Sequence, residues 1–246
     1  MLSPAYNSIM ADGISETCDG IFAGYGNDAY SCEFDLFYPL FGEDFYKERN
    51  LIVYGQATNG SSPKFRIPLN EPIQAERLVA EAIDYSRDGE KCPLEWINED
   101  WTNNEYGLSS SFFWNVTYKL AKSFYNRTDA DWNNIIAWSN IMKIAPSAGG
   151  NPDAVVMQAQ RKMASRLFLK ELEDLKPRNA VLLTNLNTWA KPLLDYSQIP
   201  YSDVRDSEFI EAYADFSGTR IIVTKRGRLK ITHDLAVQEI SRYMIK

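Results

Sequence analysis

Three short stretches carry residue types that could do chemistry. The first is TKRGRLK, residues 224–230, where Lys225, Arg226, Arg228 and Lys230 follow an apolar run. Guanidinium and ammonium groups in that place would offer charge-assisted donors to phosphate, although a solvated turn has the same composition. The second is Asn140, set inside the apolar run IIAWSNIMKI. Its amide offers both donors and an acceptor, which suits the edge of a nucleobase and equally suits a structural hydrogen-bond network. The third is LIVYGQATNG, residues 51–60, in which four apolar residues empty into Gly55, Gln56, Ala57, Thr58, Asn59 and Gly60. Gln56 and Asn59 can position a water or a ligand, but an amide cannot act as a general base.

Other chemistry finds little support. Gly24-Tyr-Gly26-Asn-Asp-Ala29 has the outline of a dinucleotide fingerprint. Only IFA precedes it as strand material and no amphipathic helix follows before Pro39, so it reads as an aromatic-rich loop. There is no GxxxxGK[ST] loop and no GxSxG elbow. The single histidine, His233, follows Thr232 at a helix start and reads as a capping-region residue, so a histidine-based metal site lacks partners. Cys18, Cys32 and Cys92 are widely spaced and odd in number, as expected of free thiols in a reducing compartment. The sequons at Asn59, Asn115 and Asn126 read as chance matches without a secretory signal. No cofactor or metal is expected.

The elements that must position these residues follow from periodicity. LIVYG fits a fully buried strand. Asn70 can cap a helix with Pro72 in its first turn and Ile73, Ala80 and Ile83 on one side. A helix over about 109–125 places Phe113, Val116, Leu120 and Phe124 at three- and four-residue steps. NNIIAWSNIMKIAP holds the second strand. Asn151 followed by Pro152 predicts a helix start, with Val156, Met163, Leu167 and Leu172 inward to about Leu175. The approach to it, Ala148-Gly-Gly-Asn-Pro152, could bind an anion through backbone N–H groups or be an ordinary tight turn. AVLLTN (180–185) and RIIVTK (220–225) read as buried strands, and Thr232 opens a last helix with Leu235, Ala236, Ile240 and Tyr243 as its apolar side.

This order predicts a single domain over 1–246: a three-layer α/β/α protein with a four-stranded parallel sheet. Residues 1–50, rich in aromatics and broken by Gly, Asp and Pro, read as an irregular segment packed on the core at 51–246. Ligands of such sheets bind outside the C-terminal strand ends, which selects the loops 55–60, 139–153, 184–188 and 224–230.

Bulk properties narrow the partners. The chain has 246 residues, 45% apolar and 24% charged, with a net charge of −7. That balance argues against a broad, nonspecific grip on nucleic acid or anionic membrane. No signal peptide and no apolar run near the ~20 residues of a membrane span is visible, so the expected location is cytoplasmic. Composition leaves the oligomeric state open.

From Leu51 onward these loops together resemble the uracil-DNA glycosylase superfamily. LIVYGQATNG is similar to the family's first motif, a strand ending in a Gly-led loop that positions the attacking water. AWSNIMKIAPSAGGNPD resembles the segment whose asparagine reads the uracil edge, and Asn140 is the matching position. LKPRNAVLLTN and RIIVTKRGRLK fill the places of the third strand and of the final strand with its minor-groove loop. The resemblance implies a DNA or nucleobase ligand without a cofactor. It implies Gly55, Ala57 and Asn140 around the base, Gln56 and Asn59 at the water, and Lys225, Arg226 and Arg228 on phosphate. Two departures separate fold from activity: the usual His-Pro pair is replaced by Lys225-Arg226-Gly227, and the first motif carries no Asp or Glu. A catalytically silent nucleic-acid- or partner-binding relative is therefore an alternative, as is an unrelated α/β enzyme acting on a small molecule.

Overall fold

In a computed structural model of the chain, the structure describes residues 2–58, 60, 63–87, 92–103, 111–225 and 232–245. Along the chain run α1 (Pro4–Tyr25), β1 (Glu33–Leu36), β2 (Leu40–Phe41), α2 (Phe45–Glu48), β3 (Leu51–Ala57), β4 (Lys64–Arg66) and α3 (Ala75–Tyr85). There follow α4 (Glu95–Asn103), α5 (Phe112–Tyr125), β5 (Ile136–Met142), β6 (Ile144–Pro146), α6 (Ala154–Leu175) and β7 (Asn179–Leu182). The chain closes with α7 (Lys191–Tyr196), β8 (Tyr201–Asp203), β9 (Ile210–Phe216), β10 (Thr219–Thr224) and α8 (His233–Tyr243).

The four apolar runs expected as strands are β3, β5, β7 and β10. They lie side by side and parallel, in the order β5-β3-β7-β10. The sheet is larger than a four-stranded parallel one, however. It has seven strands in the order β2-β5-β3-β7-β10-β9-β8, and β2, β9 and β8 pair antiparallel. The missed strands lack the signal that found the others. In β9, burial alternates along IEAYADF as in a strand with one buried face, so no continuous apolar run marks it. Ser217 and Gly218, both at positive φ (48° and 86°), form the two-residue turn that joins β9 to β10. Positive φ at both central positions matches the right-handed twist of a hairpin.

Helices cover both faces of this sheet. Leu51, Val53, Ile136, Val181 and Ile222 pack with Val116 and Leu120 of α5 and Val237 and Ile240 of α8. The alternate residues Ile52, Tyr54, Ala137, Leu182 and Val223 pack with Phe168 and Leu172 of α6 and Leu193 of α7. This period-two division is what a strand buried on both sides requires.

The N-terminal segment is not irregular: it carries a 22-residue helix, α1, capped by Ser3 and started by Pro4. It buries Tyr6, Met10, Ile14 and Ile21 against α6, α3 and a second, three-stranded antiparallel sheet of order β4-β1-β6. Gly13, Gly20 and Gly24 face α6. A Cβ at Gly20 would lie 2.9 Å from the Ala159 Cβ, and Cβ atoms at Gly13 and Gly24 would overlap Met163 and Val155. These glycines lower helix propensity, which hid the helix, yet they let the two axes close.

Two helix starts also shift. The cap of α6 is Asp153, which accepts from the Val156 N–H at 3.0 Å, so Asn151 and Pro152 precede the helix. Helix α3 starts at Ala75 rather than after Asn70, without a side-chain cap. Thr232 caps α8 as expected, accepting from the Leu235 N–H. Among the described residues, no helix is long and apolar enough to cross a membrane.

Candidate functional site

Parallel pairing aligns the C-terminal ends of β5, β3, β7 and β10, and three helix N-termini meet them there. Helix α5 runs back along the sheet, with Phe113 beside Gly55 and the Tyr125 hydroxyl donating to the Asn50 carbonyl at 3.0 Å, just before β3 begins. Helix α6 starts beside Gln56, and α8 ends where the Arg220 guanidinium reaches the Tyr243 carbonyl. Each N-terminus is capped by its own side chain, Ser111, Asp153 or Thr232. The aligned peptide dipoles make this end of the sheet favourable for negative charge.

Gly55 and Asn140 are partners in the β3–β5 register. A Cβ on Gly55 would lie 2.4 Å from the Asn140 Oδ1 and 3.6 Å from the Phe113 Cε2. Glycine is thus the condition for the Asn140 amide to lie where it does. Asn140 is only 2% exposed, and its Nδ2 has no hydrogen-bond partner. A buried donor left unpaired costs about 1–3 kcal/mol, and such an atom calls for an explanation in a ligand or a bound water.

Aromatic side chains gather on this face of the sheet. Trp138 precedes Asn140 by two residues on the same strand and so projects to the same face. Its ring lies 5.0 Å from Phe37, 5.1 Å from Trp114 and 6.4 Å from Phe113. The Trp138 Nε1 is a second buried donor without a partner. Two unpaired donors beside π faces form a surface suited to a flat, polar-edged ligand.

Gln56 is fixed at both ends of its amide. Its Nε2 donates to Thr184 Oγ1 at 3.2 Å, and its Oε1 accepts from Asn151 Nδ2 at 2.9 Å. This links the end of β3 to the end of β7 and to the loop before α6. Thr224 at the end of β10 donates to the Leu182 carbonyl at 3.0 Å, tying in the fourth strand.

The structure treats the predicted site residues differently. It brings Gly55 and Asn140 into contact and holds Gln56 at the neighbouring strand end. Ala57 closes β3 in register with Met142 and packs against the cluster beneath α6. Lys225 is half-buried, and its ammonium donates to the Ser207 carbonyl at 2.9 Å, so an internal acceptor holds the group expected on phosphate. Asn59, Arg226 and Arg228 lie outside the described residues. His233 follows the Thr232 cap and packs at a tilt against Phe112, with ring centres 5.5 Å apart. Burial lowers its pKa, helped by Lys119 and opposed by Asp234.

Three further residues stand beside the predicted site residues: Asn151, which the sequence offers as a helix cap, Phe113, which it places on the apolar side of a helix, and Trp138, which lies within the second strand's run. The period-two relation of Trp138 to Asn140 was the available signal. Elsewhere, a cleft of about 500 Å³ lined by Glu43, Cys92, Glu95, Asn98 and Asn133 opens where the chain enters β5, at the opposite end of that strand from Asn140. Among the described residues no group of three His, Cys, Asp or Glu side chains could hold a metal ion. No known protein family and no curated protein matches the chain.

Proposed function

We propose that this protein binds a nucleobase at the C-terminal strand ends, with Asn140 reading the edge of the base, in the manner of the uracil-DNA glycosylase superfamily that its loops resemble. One observation carries the reading: the Asn140 amide is lodged in the space left by Gly55, buried to 2% exposure, with its Nδ2 donor unpaired. A base carbonyl would satisfy that donor, and the ring would lie against the Phe113–Trp138 wall. The three helix N-termini favour an electron-rich ligand edge or a phosphate close by. Gln56, held by Thr184 and Asn151, can orient a water but cannot take its proton. Binding is therefore the proposal, and excision is what the assay decides.

The test is a panel of single- and double-stranded oligonucleotides carrying uracil and other altered bases. Affinity and abasic-site formation, read by alkaline cleavage, are measured for the wild-type protein and Asn140→Ala. The reading expects base-dependent affinity that Asn140→Ala lowers by about 5- to 150-fold, the worth of one good amide contact. Affinity indifferent both to the base and to Asn140 would sink it.

A further inference from the structure

We propose that a buried ion-pair network centred on Lys143 and Glu171 is the positioning element for Asn140, and that through Tyr6 it makes the N-terminal helix part of base recognition. The inference rests on the base-binding reading above and extends it to residues that touch no ligand.

Lys143 is 1% exposed and Glu171 is fully buried, and they pair at 2.7 Å. An ammonium has three donors, and all three are used here. They go to the Glu171 carboxylate, to Ser139 Oγ at 2.6 Å and to the main-chain carbonyl of Asn140 at 2.7 Å. Glu171 also accepts from the Tyr6 hydroxyl at 2.8 Å on Oε1 and from Ser139 Oγ at 2.9 Å on Oε2. The network thus joins α1, β5 and α6. Burial pulls the Lys143 pKa down while the Glu171 carboxylate opposes it, and burial beside Glu171 raises that of Tyr6 well above its usual value.

Two features point to positioning rather than to core stability. First, a buried ion pair stabilises a core little, if at all, compared with apolar residues of the same volume. What an apolar replacement cannot do is donate to the Asn140 carbonyl. Second, that carbonyl sits where the strand loses an outer neighbour. β2 pairs with β5 only at Ala137 and Trp138, and among the described residues no strand pairs beyond them on that edge before the chain bends into β6. The Lys143 ammonium supplies a donor at this point. Since Ser139 points toward α6 and Asn140 toward α5, the network holds the reader's backbone from the side opposite its amide.

The experiment compares wild type, Tyr6→Phe, Ser139→Ala and the double variant Lys143→Met/Glu171→Met, which removes both charges and keeps the volume. One readout is the preference for uracil over pyrimidin-2-one, which lacks the 4-carbonyl that the Asn140 Nδ2 would donate to, in the same oligonucleotide, beside affinity for an abasic control. The other is the Asn140 side-chain amide signal in ¹H–¹⁵N spectra of the free protein. Wild type is expected to show a roughly tenfold preference, the worth of one well-placed amide contact. In the folded double variant the preference should fall to near unity, the abasic affinity should hold, and the Asn140 amide should shift and broaden. A folded double variant with wild-type preference and an unmoved amide overturns the proposal. If the double variant does not fold, Ser139→Ala and Tyr6→Phe decide: a severalfold loss of preference supports positioning, and no loss overturns it. If wild type itself shows no preference, the base-binding reading fails, and the Asn140 amide alone decides the positioning claim, an unmoved signal refuting it.

Discussion

Gly55→Ala is the smallest change that separates the proposed recognition site from the fold. The added Cβ would sit 2.4 Å from the Asn140 Oδ1, where ordinary van der Waals contact begins at 3.4 Å. The amide must therefore retreat by about 1 Å, a misplacement that can cost on the order of a hundredfold in a site built on geometry. Because the colliding atom is the end of a side chain, the strain can be relieved by rotating Asn140 off its rotamer. That costs about 0.5–1.5 kcal/mol, against about 1–3 kcal/mol for overpacking that the backbone must absorb. The expected result is a protein with slightly lowered thermal stability whose affinity for a uracil-containing oligonucleotide falls by about ten- to a hundredfold. Fluorescence anisotropy measures the affinity, and thermal denaturation monitored by circular dichroism measures the fold. A variant that binds and discriminates as wild type does while carrying the extra methyl would refute the claim that Gly55 makes room for the reader.

Lys143→Ala alone should destabilise far more than its double replacement with Glu171, by about 3–5 kcal/mol in urea titrations, since it strands a buried carboxylate without its counter-charge. Gly24→Ala should cost about 1–3 kcal/mol by pushing α1 off Val155, and adding Val155→Ala should restore much of it in the same titrations. His233 has its pKa lowered from the ordinary 6.5 by burial, so the folded state favours the neutral ring. Its contribution to stability is therefore complete above pH 6.5 and is lost as pH falls through the lowered folded value. His233→Gln should remove that part of the pH dependence, seen as a smaller stability difference between denaturant titrations above and below pH 6.5.

The parallel centre of the sheet was legible because β3, β7 and β10 carry short continuous apolar runs and β5 one broken only by Ser139 and Asn140, the mark of strands buried on both faces. Strand β9 was not, because its burial alternates, nor was β2, which has only two residues. Helix α1 was hidden by the glycines that allow its close approach to α6, where packing overrides propensity. At the site, Asn140 stood out as a polar residue in an apolar run, and Gly55 as the end of another. Their contact was not readable, because it depends on the β3–β5 register. The Lys143–Glu171 pair was equally out of reach, since its members are 28 positions apart and meet only when α6 lies against β5.

The central claim is that the Asn140 amide is the ligand-reading group. The most direct measurement is a ¹H–¹⁵N titration of the isotopically labelled protein with a uracil-containing single-stranded oligonucleotide, following side-chain as well as backbone amides. The account predicts saturable shifts that centre on the Asn140 side-chain amide, with Gly55, Phe113 and the Trp138 indole N–H moving alongside it. Saturable binding whose shifts cluster instead around Glu43 and Asn98, or no binding with the Asn140 amide unmoved, would contradict it.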